Sequence, residues 1–217
     1  MKHESQRRHV VDLCLELSRR GYFAGTGGNI MLRIDADLVA VTPSAIDYHA
    51  MKPADVCVLR LTDLRQTDGE GTPSVESSLH AGVLRARPES GCSIHTHQPV
   101  ASALALLGEE IAVPPPWRAT LGARLPVVGY APSGSGWLAW KFSRKVRGDV
   151  NAYLMHNHGI LCCGRDSDAA MQAVDDLEAL ARSLLDQRIR HRVTSASPAM
   201  EQALQRTRDA LHTRATA

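Results

Sequence analysis

Two short apolar segments in this chain each end in histidines, and that repetition constrains the fold more than any other feature. The first is SIHTHQ, residues 93–98, with His95 and His97 two positions apart; the second is NAYLMHNHG, residues 151–159, which carries His156 and His158. On an extended backbone side chains alternate between faces, so residues two apart point the same way. His95 and His97 therefore converge at one strand end. Two strand ends that both carry imidazoles can be neighbours in a sheet, and a third imidazole from the second segment then completes a three-histidine set. Three protein ligands leave a coordination position open for water or substrate, the catalytic zinc arrangement, whereas a structural site recruits a fourth. An isolated HxH also has a plain reading, one buried histidine and one solvated, and the second cluster is what favours metal.

The spacing of apolar residues predicts the elements around these segments. Residues 6–20 form a helix with Val10, Val11, Leu13, Leu15 and Leu17 on its apolar side, stopped at Gly21. Four glycines between 21 and 28 then exclude a regular element. Residues 30–34 and 37–41 read as a hairpin, Pro53 opens a short helix, and 57–61 is a strand. TDGEGTPS, residues 67–74, is an exposed loop. A helix runs from Val75 to Ala86 with Ser74 as its cap, 91–95 is a strand, and Pro99 starts a helix to Leu107. The proline- and glycine-rich stretch 112–137 cannot be mostly helix, although VVGY within it reads as a strand. A helix over 135–146, one strand through NAYLMHNHGILCCG, a long helix over 167–190 and a polar, alanine-rich helix or frayed tail complete the chain. This order favours one α/β domain with a mixed central sheet covered by helices. GTGGN lacks the GxGxxG spacing and follows a helix, so it is not a dinucleotide fingerprint.

Charge and composition exclude several classes. The 217 residues carry a formal net charge of +2, and the basic residues are scattered in RRHV, SRR and SRKVR, so nucleic acid is not an expected partner. No apolar run approaches the roughly 18 residues of a membrane span, and the first residues lack a secretory signal core, so the expected compartment is the cytoplasm. Cys14, Cys57, Cys92, Cys162 and Cys163 form no CxxC pair and read as reduced, buried thiols.

One carboxylate stands out. Glu76, in PSVESS, sits at a predicted helix N-terminus, where its charge suits the helix dipole. Its functional reading is a general acid/base beside the metal. His80, one turn later on the same face, either orients that carboxylate or packs.

Taken together, GTGGNI, VTPSAIDY, PSVESSLH, the HTH of SIHTHQP and MHNHGILCCG resemble the class II aldolase/adducin family, in the family's order, across roughly residues 5–190. The resemblance implies an α/β, three-layer α/β/α fold with a central mixed, largely antiparallel sheet, in a single domain over 1–217 with a polar tail from about 193. It implies that His95, His97 and His158 bind Zn2+ or another divalent transition metal and that Glu76 is the acid/base. Gly28, Asn29, Ser44, Ala45, Ser74 and Val75 match positions that surround a phosphate. Three departures weaken that subsite: Met31 and Val75 stand where serines are usual, and Ala45 stands where glycine is. Trp117, which has no acidic proton to give, lies nearest the place of a tyrosine proton donor from a neighbouring subunit; Arg118 is a candidate anion binder there, and Tyr130 is another candidate donor.

The implied activity is that of a zinc-dependent aldolase, a carbon–carbon lyase that cleaves a small phosphorylated ketose through a zinc-stabilised enediolate. The alternatives are a decarboxylase or dehydratase of a related sugar phosphate or sugar-acid phosphate, and a non-catalytic adducin-like interaction module. A homo-oligomer, a tetramer with sites at subunit contacts, is implied as well.

Overall fold

A computed structural model describes residues 1–23, 25–194 and 196–213. The first helix, α1 (Glu4–Arg19), buries Val10, Val11, Leu13, Cys14 and Leu17 along one side, and Gly21 ends the run in the left-handed region at φ 69°. Strands β1 (Asn29–Arg33) and β2 (Leu38–Val41) form the expected hairpin. Its turn is set by Asp35, whose Oδ1 accepts the N–H groups of Asp37 and Leu38 at 2.8 Å. There follow β3 (Cys57–Arg60), β4 (Gln66–Asp68), α2 (Ser77–Ala86), β5 (Cys92–Thr96), α3 (Pro99–Ala105), β6 (Ile111–Ala112) and α4 (Pro115–Leu121). The remainder comprises β7 (Arg124–Leu125), β8 (Val127–Val128), α5 (Gly136–Ser143), β9 (Ala152–Met155), β10 (Gly159–Gly164), α6 (Ser167–Val193) and α7 (Pro198–Thr213).

Eight strands form the central sheet in the order β4-β3-β2-β1-β5-β10-β9-β8, and only the β8–β9 pairing is parallel. The sheet is thus mixed and largely antiparallel, as expected. Alternation along its strands builds two helical layers. Ile30, Leu32, Ile94, Leu154 and Ile160 enter one core together with α1, α3 and α6. Met31, Tyr153, Leu161 and Cys163 face the other side, where Leu79 and Leu84 of α2 and Leu138 and Phe142 of α5 close over them. Each fully buried large apolar side chain contributes roughly 1.5–3 kcal/mol. The three layers are therefore cemented from both faces of the sheet.

Several local expectations are corrected. Ser74 does not cap α2: Glu76 occupies the N-cap, while Ser74 Oγ accepts the Glu76 N–H at 3.2 Å. Around Pro53 there is a turn, not a helix, closed by Asp55, whose Oδ2 accepts the Lys52 N–H at 2.7 Å. The 67–74 loop begins inside β4, because Thr67 and Asp68 add an edge to β3 despite their polarity. PPWRATL forms α4, since prolines at the first helical positions lose no hydrogen bond there. The single strand expected across residues 151–164 is two, β9 and β10, joined at His156–His158. Of the two readings of the C-terminal segment, the helix is the one observed: it runs to Thr213 and is pinned to α6 through Asp186, which meets Arg190 at 2.7 Å and Arg208 at 2.6 Å. No helix among the described residues is long and apolar enough to cross a membrane.

Candidate functional site

Strand β5 lies between β1 and β10 and is antiparallel to both, so its C-terminal end meets the first residues of each neighbour. His95 is opposite Asn29 on one side, and Thr96 is opposite Ile160 on the other. His97 follows directly, its N–H donating to the Tyr22 carbonyl at 3.1 Å. Across from it, His156, Asn157 and His158 make the tight turn into β10, with Asn157 in the left-handed region at φ 55°. This register brings His95, His97 and His158 together, their ligating atoms all within 4.8 Å of one another. The Nε2 atoms of His95 and His97 are 3.0 Å apart. Tetrahedral ligation at about 2.0–2.1 Å per bond asks for nitrogens about 3.4 Å apart, so small shifts complete a three-nitrogen site.

The protonation states fit the same purpose. His95 Nδ1 donates to the Ile160 carbonyl at 2.7 Å, which leaves the Nε2 lone pair facing the other rings. Burial, foremost, lowers the His95 pKa to about 3 and also lowers that of His97, so both rings are neutral and able to ligate. Close approach further requires the glycine after His158. A Cβ on Gly159 would lie 2.6 Å from the Thr96 carbonyl oxygen and 2.7 Å from the His97 ring. The donor set fits a divalent transition metal; nitrogen ligands of this kind serve zinc, cobalt, nickel or iron alike.

Glu76 stands beside the cluster, 5% exposed, with Oε1 3.0 Å from His158 Nε2 and Oε2 3.4 Å from His95 Nε2. Asn29 Nδ2 donates to Oε2 and Ser133 Oγ donates to Oε1, both at 2.8 Å. Burial alone would raise the carboxyl pKa. The His158 hydrogen bond, the adjacent His95 and the Asn29 hydrogen bond outweigh it and hold Glu76 as an anion well below the usual carboxylate range. Ser133 was invisible in the sequence. It lies in PSGSG, which reads as generic turn chemistry, and only the approach of that loop to the start of α2 gives it a role.

Of the six residues matched to the anion subsite, the structure joins the three segments that carry them through Thr42. Thr42 exchanges hydrogen bonds with Ile30, and its carbonyl accepts the Ser74 N–H at 3.1 Å. The Ser44 N–H is taken by the Thr72 carbonyl at 2.7 Å, so Ser44 offers a pocket its hydroxyl. Ala45 keeps φ 54°, a glycine-like backbone at an alanine. Gly28 has φ 95° and no room for a side chain against Phe23, and its carbonyl accepts the Tyr48 hydroxyl at 2.5 Å. Val75 is 64% exposed, and Asn29 is drawn toward Glu76. Trp117 packs partly buried against the core, Arg118 donates to its own segment at the Val113 carbonyl, and Tyr130 is exposed.

Two buried imidazoles here make a prediction for stability. Burial holds His80 neutral with a pKa of about 4 and His95 at about 3, against 6.5 for an unperturbed histidine. Below that value the unfolded chain binds protons that the folded chain does not. The metal-free protein should therefore lose stability as pH falls from about 6.5 toward about 4, by up to ~1.4 kcal/mol per pH unit for each of these histidines. Denaturant titration at pH 7 and pH 5 measures this, and equal midpoints would contradict it.

With this geometry in place, likeness to known proteins is decisive. Residues 8–185 match the family model described as Class II Aldolase and Adducin N-terminal domain. The chain belongs to the class II aldolase/adducin family. Among its family relatives, an L-fuculose phosphate aldolase of Haemophilus influenzae is 29% identical over 188 residues, covering 83% of this chain and 82% of the relative. A 5-deoxy-D-ribulose 1-phosphate aldolase of Bacillus thuringiensis serovar kurstaki is 30% identical over 181 residues, covering 82% and 84%. A solved L-fuculose 1-phosphate aldolase superposes with a TM-score of 0.79 at 25% identity over 95% of this chain and 98% of that one. The histidine cluster and this class II aldolase kinship together support a metal-dependent, aldolase-like activity.

Proposed function

We propose that the protein is a zinc-dependent carbon–carbon lyase that cleaves a small phosphorylated ketose. One observation carries this reading: three imidazoles able to share a cation, with an ionised carboxylate 3.0 Å from one of them. The named activities of its aldolase relatives support the substrate class. A bound divalent cation supplies Lewis-acid stabilisation of the charge that collects on substrate oxygens as the bond breaks. The chain's own residues do the rest. His95, His97 and His158 would hold the cation and leave a face free for substrate. In condensation the Glu76 carboxylate takes the proton from the carbon beside the carbonyl; in the reverse, cleavage direction the carboxylic acid so formed returns it. Gly28, Asn29, Ser44, Ala45, Ser74 and Val75 form the rim that receives the phosphate, with serine hydroxyls as donors and an apolar valine where a further hydroxyl is usual.

The test is a screen of zinc-loaded protein against phosphorylated ketoses and sugar-acid phosphates with the products identified. Release of an aldehyde is the expected result. Loss of carbon dioxide or water instead would make it a decarboxylase or dehydratase, and no turnover at full metal loading would favour an adducin-like interaction module. Elemental analysis of the purified protein should find about one zinc per chain.

We also infer a homotetramer in the cytoplasm. Tyr130, Trp137 and Trp140 are each more than half exposed on the segment that carries Ser133, which suits burial against a second copy. Five unpaired, buried thiols suit a reducing compartment. Light scattering tests the assembly, and a monomer would refute it.

A further inference from the structure

Behind Glu76 runs a line of buried polar groups, of which the proposed chemistry uses only Asn29. Asn29 Nδ2 reaches Glu76 Oε2 at 2.8 Å, His80 Nε2 is 2.5 Å from Asn29 Oδ1, and His80 Nδ1 is 2.7 Å from Ser93 Oγ. Asn29, His80 and Ser93 are 8%, 0% and 0% exposed, so solvent does not offer them other partners. They come from three elements: the first residue of β1, the first full turn of α2, and the second residue of β5.

The carboxylate fixes the polarity of this line. An anion accepts hydrogen bonds only, so Asn29 must turn its N–H2 toward Glu76 and its carbonyl toward His80. His80 must then donate from Nε2 and accept at Nδ1, and Ser93 must donate. The other imidazole tautomer would turn the amide round and set its carbonyl oxygen 2.8 Å from a carboxylate oxygen, two acceptors facing each other in a buried site.

We propose that His80 is a positioning residue that, through this single tautomer, locks the Asn29 amide on Glu76 Oε2. Oε2 is then permanently occupied by a donor. Oε1, under Ser133 and beside His158, is the oxygen that trades a proton with substrate. The role rests on the acid/base reading of Glu76, which also gives His80 a purpose that packing on α2 does not require. A ring that merely filled space would be replaceable by any side chain of similar shape.

The test compares His80→Phe, which keeps the shape and removes both nitrogens, with His80→Gln, which keeps a donor for Asn29. On the phosphoketose turned over by the wild type, His80→Phe should lower kcat about 10- to 100-fold with metal content retained and KM changed by less than about threefold. His80→Gln should recover most of that loss. In an Asn29→Ala background, His80→Phe should cost less than about twofold more, because both changes break one line. Multiplicative losses, or an unchanged kcat in His80→Phe, would overturn the proposal. A second measurement needs no substrate and no variant. Imidazole 15N spectra of the labelled, metal-loaded full chain should show His80 neutral with its proton on Nε2, and a proton on Nδ1 would overturn the proposal. If the wild type turns over none of the phosphoketoses, the lyase reading falls, while the spectrum still decides the tautomer.

Discussion

Glu76→Gln should leave metal content and fold intact and lower turnover by about 10²- to 10⁴-fold, the range lost when a general acid/base is removed. The surroundings explain why the substitution separates chemistry from structure. Glutamine keeps the volume and an oxygen for the Asn29 N–H, which reaches Glu76 Oε2 at 2.8 Å. Its new N–H2 then lies toward Ser133, whose Oγ is 2.8 Å from Oε1 and can rotate its hydroxyl to accept where it now donates. The contact that glutamine cannot keep is the one from His158 Nε2 to Oε1 at 3.0 Å, so the stability cost is that of about one hydrogen bond. What disappears is the group that carries the proton. Elemental analysis, a denaturation midpoint and kcat on the same preparation read the three quantities. Near-normal turnover would remove Glu76 from the mechanism.

His97→Ala should have a comparable effect by a different route. Loss of one of three nitrogen ligands should drop bound metal from about one per chain to below roughly a tenth, with turnover falling alongside. His97 is the better probe of the cluster. His95 is fully buried, and its Nδ1 satisfies the Ile160 carbonyl at 2.7 Å. His95→Ala would thus add a cavity and an unpaired carbonyl, at about 2–4 kcal/mol, to the loss of metal. His97 is only partly buried, and its tie to the fold is a backbone bond from its N–H to Tyr22 that alanine keeps. Full metal occupancy in His97→Ala would mean that the cluster does not ligate as described.

The histidine cluster was legible because it follows from a local rule. Side chains two apart on a strand share a face, and two such strand ends needed only to be neighbours. Which strands are neighbours was not legible. β10 lies between β5 and β9, so the second histidine motif works from the turn before β10 and not from the end of a strand running alongside β5. Glu76 was legible from its place at a helix start, although its company was not. Asn29 reads from sequence as a pocket residue, yet its amide bridges Glu76 and His80, a contact that spans 47 residues to Glu76 and 51 to His80. Ser133 and the Thr42 junction escaped for the same reason, since loops with ordinary turn composition acquire meaning only from what they touch. β4 and α4 were missed because polar and proline-rich stretches carry no periodic signal, and neighbouring structure decided them.

The place of β5 in the sheet bears on how the protein is made. Its partners are β1, far upstream, and β10, far downstream, and both pairings converge at the histidines. On the ribosome, the three histidines cannot come together until the segment through Gly164 has emerged and paired with β5. Metal uptake by nascent or truncated chains would then report the pairing of β10 with β5, not an early nucleus of folding.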